Sequence, residues 1–133
     1  EIQVVKGTTG NQKVELKKIL DSQQIGYFQQ LVRDIPITDR VLEYAVSLAA
    51  KTRPGTTNAT PEVNKFLSWG AGPRASQYLV LGAKCHASIS GKYSPDIEDV
   101  QAVAEAILRH RIVRNYKAEA EGISAEKIIN NLF

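Results

Sequence analysis

Apolar residues recur along this chain at intervals of three and four, interrupted by proline, glycine and short polar residues, and the pattern predicts five or six helices. Asp21 can cap the first, with Gln24 as the return arm of a capping box and Leu20 and Ile25 as a hydrophobic staple. Ile25, Phe28, Leu31 and Val32 form its stripe, and Pro36 stops it. Thr38 opens the next helix, with a staple in Ile37 and Leu42, and Val41, Leu42, Ala45, Val46 and Ala49 make its expected buried face. Arg53-Pro54-Gly55 ends that helix, because proline lacks an amide donor and disfavours helical geometry in the residue before it.

A polar loop over 56–59 leads to Thr60-Pro61, which starts a short helix with proline at its favoured first position and Val63, Phe66 and Leu67 as apolar residues. Trp69-Gly70-Ala71-Gly72 breaks the pattern. Pro73 then opens the longest helix, with Ala75, Leu79, Gly82, His86 and Ile89 near one face and Tyr78 and Cys85 beside it. Ser94-Pro95-Asp96 starts another, whose early Asp96, Glu98 and Asp99 complement the helix dipole. Val100, Val103, Ala104, Ile107 and Leu108 are its core stripe. The basic run Arg109-His110-Arg111 closes it, where positive charge is favoured. Ser124 caps a last helix, stapled by Ile123 and Ile128, with Ile128, Ile129, Leu132 and Phe133 as its face.

The first twenty residues carry less signal. Thr8-Thr9-Gly10-Asn11 is a turn sequence, and Val14 and Leu16 alternate with Lys13 and Glu15, which permits a short strand. The expected fold is therefore all-α, a small helical bundle, with a short β-segment allowed near the N-terminus.

Composition narrows the function classes. The chain has 133 residues, enough for one domain with one core. Aromatic residues make up 7%, so alanine, leucine, isoleucine and valine must fill most of that core. A net charge of +3 is too mild to argue for nucleic acid. A single cysteine, Cys85, forms no internal disulfide, which fits a reducing compartment, most simply the cytoplasm. No apolar run reaches the roughly 18 residues of a membrane span, and no secretory signal is visible. The chain starts at Glu1 and contains no methionine: either processing removed the start or, more simply, the chain is expected to be a piece of a longer protein whose upstream part carries the chemistry.

Few residues offer chemistry of their own. No segment matches the phosphate-binding loop G-x-x-x-x-G-K-[ST]: Gly91-Lys92 lacks both the upstream glycine and the hydroxyl residue. No aliphatic strand ends in paired acids that could hold magnesium. His86 and His110 do not form a ligand pair on one helix face, and no nucleophile–base constellation is present. His86 is expected to be a partly buried core residue and Cys85 an inert small hydrophobe.

Arg74 is the exception. It occupies the second position of a helix, where the dipole's partial positive charge disfavours a cation by about 0.3–1 kcal/mol. The same helix end presents free backbone N–H groups that suit an anion. Either Arg74 meets a phosphate or carboxylate there, or it is a solvated surface residue or pairs with a nearby Asp or Glu. Gly70 and Gly72 would let the backbone approach such a ligand closely.

The run "WGAGPRASQYLVLGAKCHASISGKYSPDIEDVQAVAEAILRHRIV" resembles the C-terminal lid of MoxR-type AAA+ ATPases, with their G-x-S-P-R-A helix start, G-R-x-Y-V-x-P-x-D-V turn and A-x-x-V-L-x-H-R helix. "AEAEGISAEKIINNLF" is similar to that family's closing segment, and "IPITDRVLEYAVSLAAKTR" to its first lid helices. The resemblance implies that residues 1–20 link to an upstream AAA+ core domain and that 21–133 form the lid. It makes Arg74 the sensor-2 arginine, reaching the γ-phosphate of ATP, with Gly72, Pro73 and Arg74 as the nucleotide-binding helix start. Where the family often has serine, this chain has Gly72, which still caps acceptably.

The resemblance further implies ATP and magnesium in the longer protein, with neither held tightly by this piece alone. It also implies a ring of sibling subunits, expected to be a hexamer, chaperone-like remodelling, and partners with von Willebrand factor A domains. Arg109, His110 and Arg111 match the family's H-R pair but need no nucleotide role. The alternative is a stand-alone helical module binding protein or DNA, for which the mild positive charge and the Arg109–Arg111 cluster are the support.

Overall fold

A computed structural model describes residues 1–10 and 17–133. The Val14–Leu16 strand expectation lies outside the described residues. The turn expected over Thr8-Thr9-Gly10-Asn11 lies partly outside them too: Thr8 and Thr9 close a helix, α1 (Ile2–Thr9), which ends at Gly10 and none of whose residues is buried. The other helices are α2 (Ser22–Asp34), α3 (Asp39–Lys51), α4 (Pro61–Phe66), α5 (Pro73–Ile89), α6 (Ile97–Leu108), α7 (Tyr116–Ala120) and α8 (Ala125–Asn130).

The predicted helix starts hold, all but one of the predicted side-chain caps with its bond made. The Asp21–Gln24 capping box is closed in both directions. Thr60 and Ser124 each accept a backbone N–H at their helix starts. Asp96 and Asp99 form a second capping box at the start of α6. Thr38 occupies the cap of α3, but its side chain makes no capping bond.

Two elements were not foreseen. Asn115 caps the short α7 through its side chain. Leu67–Trp69 (β1) and Val113–Arg114 (β2) form an antiparallel ribbon, pairing Leu67 with Arg114 and Trp69 with Val113 across an irregularity. Leu67 therefore belongs to a strand and not to the preceding helix. A three-residue strand has no periodicity to detect; its pairing partner lies more than forty residues away.

The hairpin of α5 and α6 is the centre of the bundle. Gly82 permits it: a Cβ there would lie 2.9 Å from Ile107 Cδ1 and 3.2 Å from Val103 Cγ2, so the two helices approach along a glycine notch. Ala75, Leu79, Ala83 and Ala87 of α5 and Val100, Ala104 and Leu108 of α6 join Val41, Ala45, Leu48 and Ala49 of α3 in one core. Ile128, Ile129 and Leu132 close it from the C-terminal end. The many alanines on α5 explain how a chain with few aromatics packs tightly: helices faced with small side chains come close, and backbone replaces side-chain volume.

Several expected core positions are surface. Leu42 and Val46 on α3 and Ile89 on α5 are exposed, as is Phe133. Their spacing was correct for a stripe, but the neighbours cover only part of its width. Leu48, outside the expected set, is fully buried. None of α2 is buried; its Ile25, Phe28 and Leu31 remain close to half exposed. No helix among the described residues is long and apolar enough to cross a membrane.

Candidate anion site at the start of α5

The segment before α5 is held by the C-terminal end of α3. Thr52, fully buried, donates through Oγ1 to Ala49 O at 2.7 Å and accepts the Ala71 backbone N–H at 2.9 Å. Arg53 donates from Nε to Ala71 O at 2.9 Å. Gly70 lies flat against the same residues: a Cβ there would sit 2.3 Å from Thr52 O and 2.6 Å from Arg53 Cα. Gly70 is thus required for a close backbone approach, but the approach is to α3 and not to a ligand. A Cβ on Gly72 would meet nothing within 4 Å, so close approach does not require glycine there. From the sequence Arg53 was read only as part of a helix stop, and Thr52 was not singled out. Their clamp on Ala71 leaves no local signature, because it joins positions 18 and 19 residues apart.

The clamp fixes where α5 begins. Gly72 is the cap, with extended backbone (φ −78°, ψ 179°), and its carbonyl accepts the Ala75 N–H at 2.9 Å. Pro73 occupies the first turn, and no acid lies there. Arg74 is exposed. Among the described residues no carboxylate lies within ion-pair distance of it. Of the two bland readings of Arg74, pairing with an acid is therefore removed, and a guanidinium standing free at a positive helix end remains.

Tyr78, one turn further along α5, carries a second arginine. The Arg111 guanidinium stacks 4.9 Å from the Tyr78 ring centroid and donates to Ile107 O at 2.6 Å. Arg109 has a different setting. With Arg114 it lends positive charge to Glu126, whose carboxyl is held below the usual range first by its own backbone N–H and by Ser124. The basic run is thus distributed among contacts within the fold.

A second polar centre joins α5 to α6. Asp99 is completely buried, although its sequence position suggested only a dipole complement. Its carboxylate accepts from Asp96 N at 2.8 Å, lies 2.7 Å from His86 Nδ1, and accepts from Lys92 Nζ at 3.0 and 3.1 Å. Burial pushes the Asp99 carboxyl upward. The hydrogen bonds from Asp96, His86 and Lys92 outweigh it and leave the group below the ordinary carboxylate range. Lys92 is raised, chiefly by its bond to Asp99. His86 is consequently a half-exposed partner of a buried acid rather than a core residue. Cys85 is exposed, not an internal hydrophobe. No group of three potential metal-ligating side chains occurs among the described residues.

The family model for the AAA lid domain matches residues 61–132, which include the whole of this site apart from Thr52 and Arg53. The chain belongs to the AAA lid domain family. The lid is 29% identical over 118 residues to Chaperone MoxR1 of Mycobacterium tuberculosis, a match covering 89% of this chain and 31% of that protein. It is 26% identical over 117 residues to the uncharacterized protein YeaC of Bacillus subtilis, covering 88% of this chain and 34% of YeaC. A crystal structure of a "putative ATPase" from Cytophaga hutchinsonii superposes with a TM-score of 0.83 at 28% identity, over 98% of the lid and 40% of that chain. The expected family, a MoxR-type AAA+ lid, is thereby established, as is its mostly helical fold. The lid spans about a third of the length of the curated relatives it matches.

Proposed function

We propose that this lid works as one half of an ATP site, with Arg74 presenting its guanidinium to the γ-phosphate of a nucleotide held by an upstream AAA+ core domain. The observation that carries the reading is Arg74 at a helix start with no carboxylate partner among the described residues, where the local dipole disfavours a cation unless an anion faces it. A planar, permanently charged fork suits phosphate oxygens. The clamp of Thr52 and Arg53 on Ala71 supports it further, since a residue that stabilises developing phosphate charge must be pre-positioned.

Residues 1–20 act in this reading as the link to the core and 21–133 as the lid. The core supplies the phosphate loop and the magnesium ligands, because the described residues of the lid offer no acid cluster for a cation. Bound ATP would bring the charge that Arg74 neutralises. Closing of the lid over the nucleotide would then couple hydrolysis to the assembly of a ring, expected to be hexameric, and to chaperone-like remodelling in the cytoplasm. The chaperone named among the relatives supports that role. Proteins with von Willebrand factor A domains are the proposed partners.

The test is Arg74→Ala in the longer ATPase. Loss of an electrostatic donor to a transition-state oxygen lowers turnover by about 100-fold or more. Because Arg74 is exposed, the melting temperature of the lid should stay within about 2 °C of the parent, an effect of roughly 0.5 kcal/mol or less. Unchanged turnover would sink the sensor role.

A further inference from the structure

Tyr78 follows Arg74 by four residues on α5, the spacing at which helical side chains are surface neighbours. Its ring is half-exposed. A guanidinium is attracted to an aromatic face, so the ring is a resting place for an exposed arginine one turn away. The helix dipole adds to that pull, because it pushes a cation away from the first turn. Left to these two forces, Arg74 would fold back along α5 onto Tyr78 and leave the helix start.

The ring already holds a cation. The Arg111 guanidinium stands over it, 4.9 Å from the centroid. Arg111 lies just beyond α6, is half-buried, and is anchored there: it donates to Ile107 O at 2.6 Å and meets the ring of His110. An anchored side chain gives up less freedom on stacking than a free one. Its charge also repels a second guanidinium from the same ring. Arg74, exposed and without a carboxylate partner among the described residues, has no anchor with which to compete.

We propose that Arg111 and Tyr78 form a positioning pair for Arg74: by occupying the tyrosine ring, Arg111 keeps the Arg74 guanidinium free at the start of α5. The inference rests on the reading of Arg74 as a phosphate contact. It gives Arg111 a role that acts through Arg74, with no nucleotide contact of its own.

The experiment measures kcat and KM for ATP in the longer ATPase carrying Arg111→Gln, Arg111→Lys, the double variant Arg111→Gln/Tyr78→Leu, or Arg74→Ala. Arg111→Gln keeps an N–H donor but takes the cation off the ring. Attraction of an exposed cation to a ring corresponds to a preference of about two- to fivefold, so withdrawal of Arg74 lowers kcat by about two- to fivefold, with KM within about twofold. Arg111→Lys returns a cation to the ring and should recover at least half of the loss. The double variant removes the ring as well, and kcat should return to within about 1.5-fold of the parent. A loss of packing at Arg111 cannot be repaired by deleting its partner, so this rescue separates positioning from a structural role. If Arg111→Gln leaves kcat unchanged, or the double variant is as slow as the single one, the positioning role is overturned. Arg74→Ala keeps the two readings apart. If it lowers kcat while Arg111→Gln does not, the positioning role alone falls; if it leaves kcat unchanged, both fall.

Discussion

Replacing Asp99 by asparagine removes one buried charge and one acceptor oxygen while keeping the side chain's volume. In the lid, one carboxylate oxygen receives His86 and Lys92, and the other receives Asp96 N and Lys92. A carboxamide can satisfy only one of these sets; its NH2 group must face donors on the other side. His86 and Lys92 are each more than 40% exposed, so they regain water and their loss contributes little. The larger cost comes from the buried donor-to-donor clash, about 1–3 kcal/mol. We expect a total of about 2–3 kcal/mol, or a fall in melting temperature of roughly 10 °C for a domain of this size.

Acid provides the internal control. The Asp99 carboxyl is lowered in the fold relative to the unfolded chain. Its contribution is therefore fully present above the unfolded value near 3.9 and is lost as pH falls through the lower folded value. Urea unfolding of parent and Asp99→Asn, followed by circular dichroism at pH 7 and again near pH 3, should show the gap narrowing on acidification. A variant within about 0.5 kcal/mol of the parent at pH 7, or a gap that does not shrink in acid, would refute the account of this buried acid.

Two more substitutions probe the clamp that sets the start of α5. Gly70→Ala places a methyl group 2.3 Å from Thr52 O, a backbone atom that cannot swing aside, and should destabilise the lid by about 1–3 kcal/mol in thermal melts. Thr52→Val preserves shape but leaves the buried Ala71 N–H without its acceptor, with an expected loss of about 1–3 kcal/mol and faster hydrogen exchange at Ala71. Lys92 adds an alkaline limit: its raised value means that its stabilisation is complete below the unfolded value near 10.4 and is lost as pH climbs through the folded one, which a melting series from pH 8 to 12 would display.

Local signals were readable because they are made within a few residues. The capping boxes at Asp21 and Asp96, the proline starts at Pro61 and Pro73, and the cap at Ser124 each depend on partners no more than four positions away. The oddity of Arg74 was readable for the same reason: a dipole and a cation conflict locally, whatever the rest of the chain does. Stripe width was not readable. Leu42 and Val46 have the spacing of a buried face on α3, yet they are exposed while Leu48 is sealed, because burial depends on which helices arrive opposite.

By itself, then, the sequence determined the helices, their starts and the presence of a cation where an anion is wanted. Only the tertiary structure decided how that cation is held. The Thr52–Ala71 and Arg53–Ala71 bonds, the flat contact at Gly70 and the pairing of Trp69 with Val113 all join segments distant in the chain. The burial of Asp99 between His86 and Lys92 likewise appears only when α5 folds back on α6. Each of these contacts depends on two backbones meeting at one distance, and no periodicity of side chains along either segment encodes that distance.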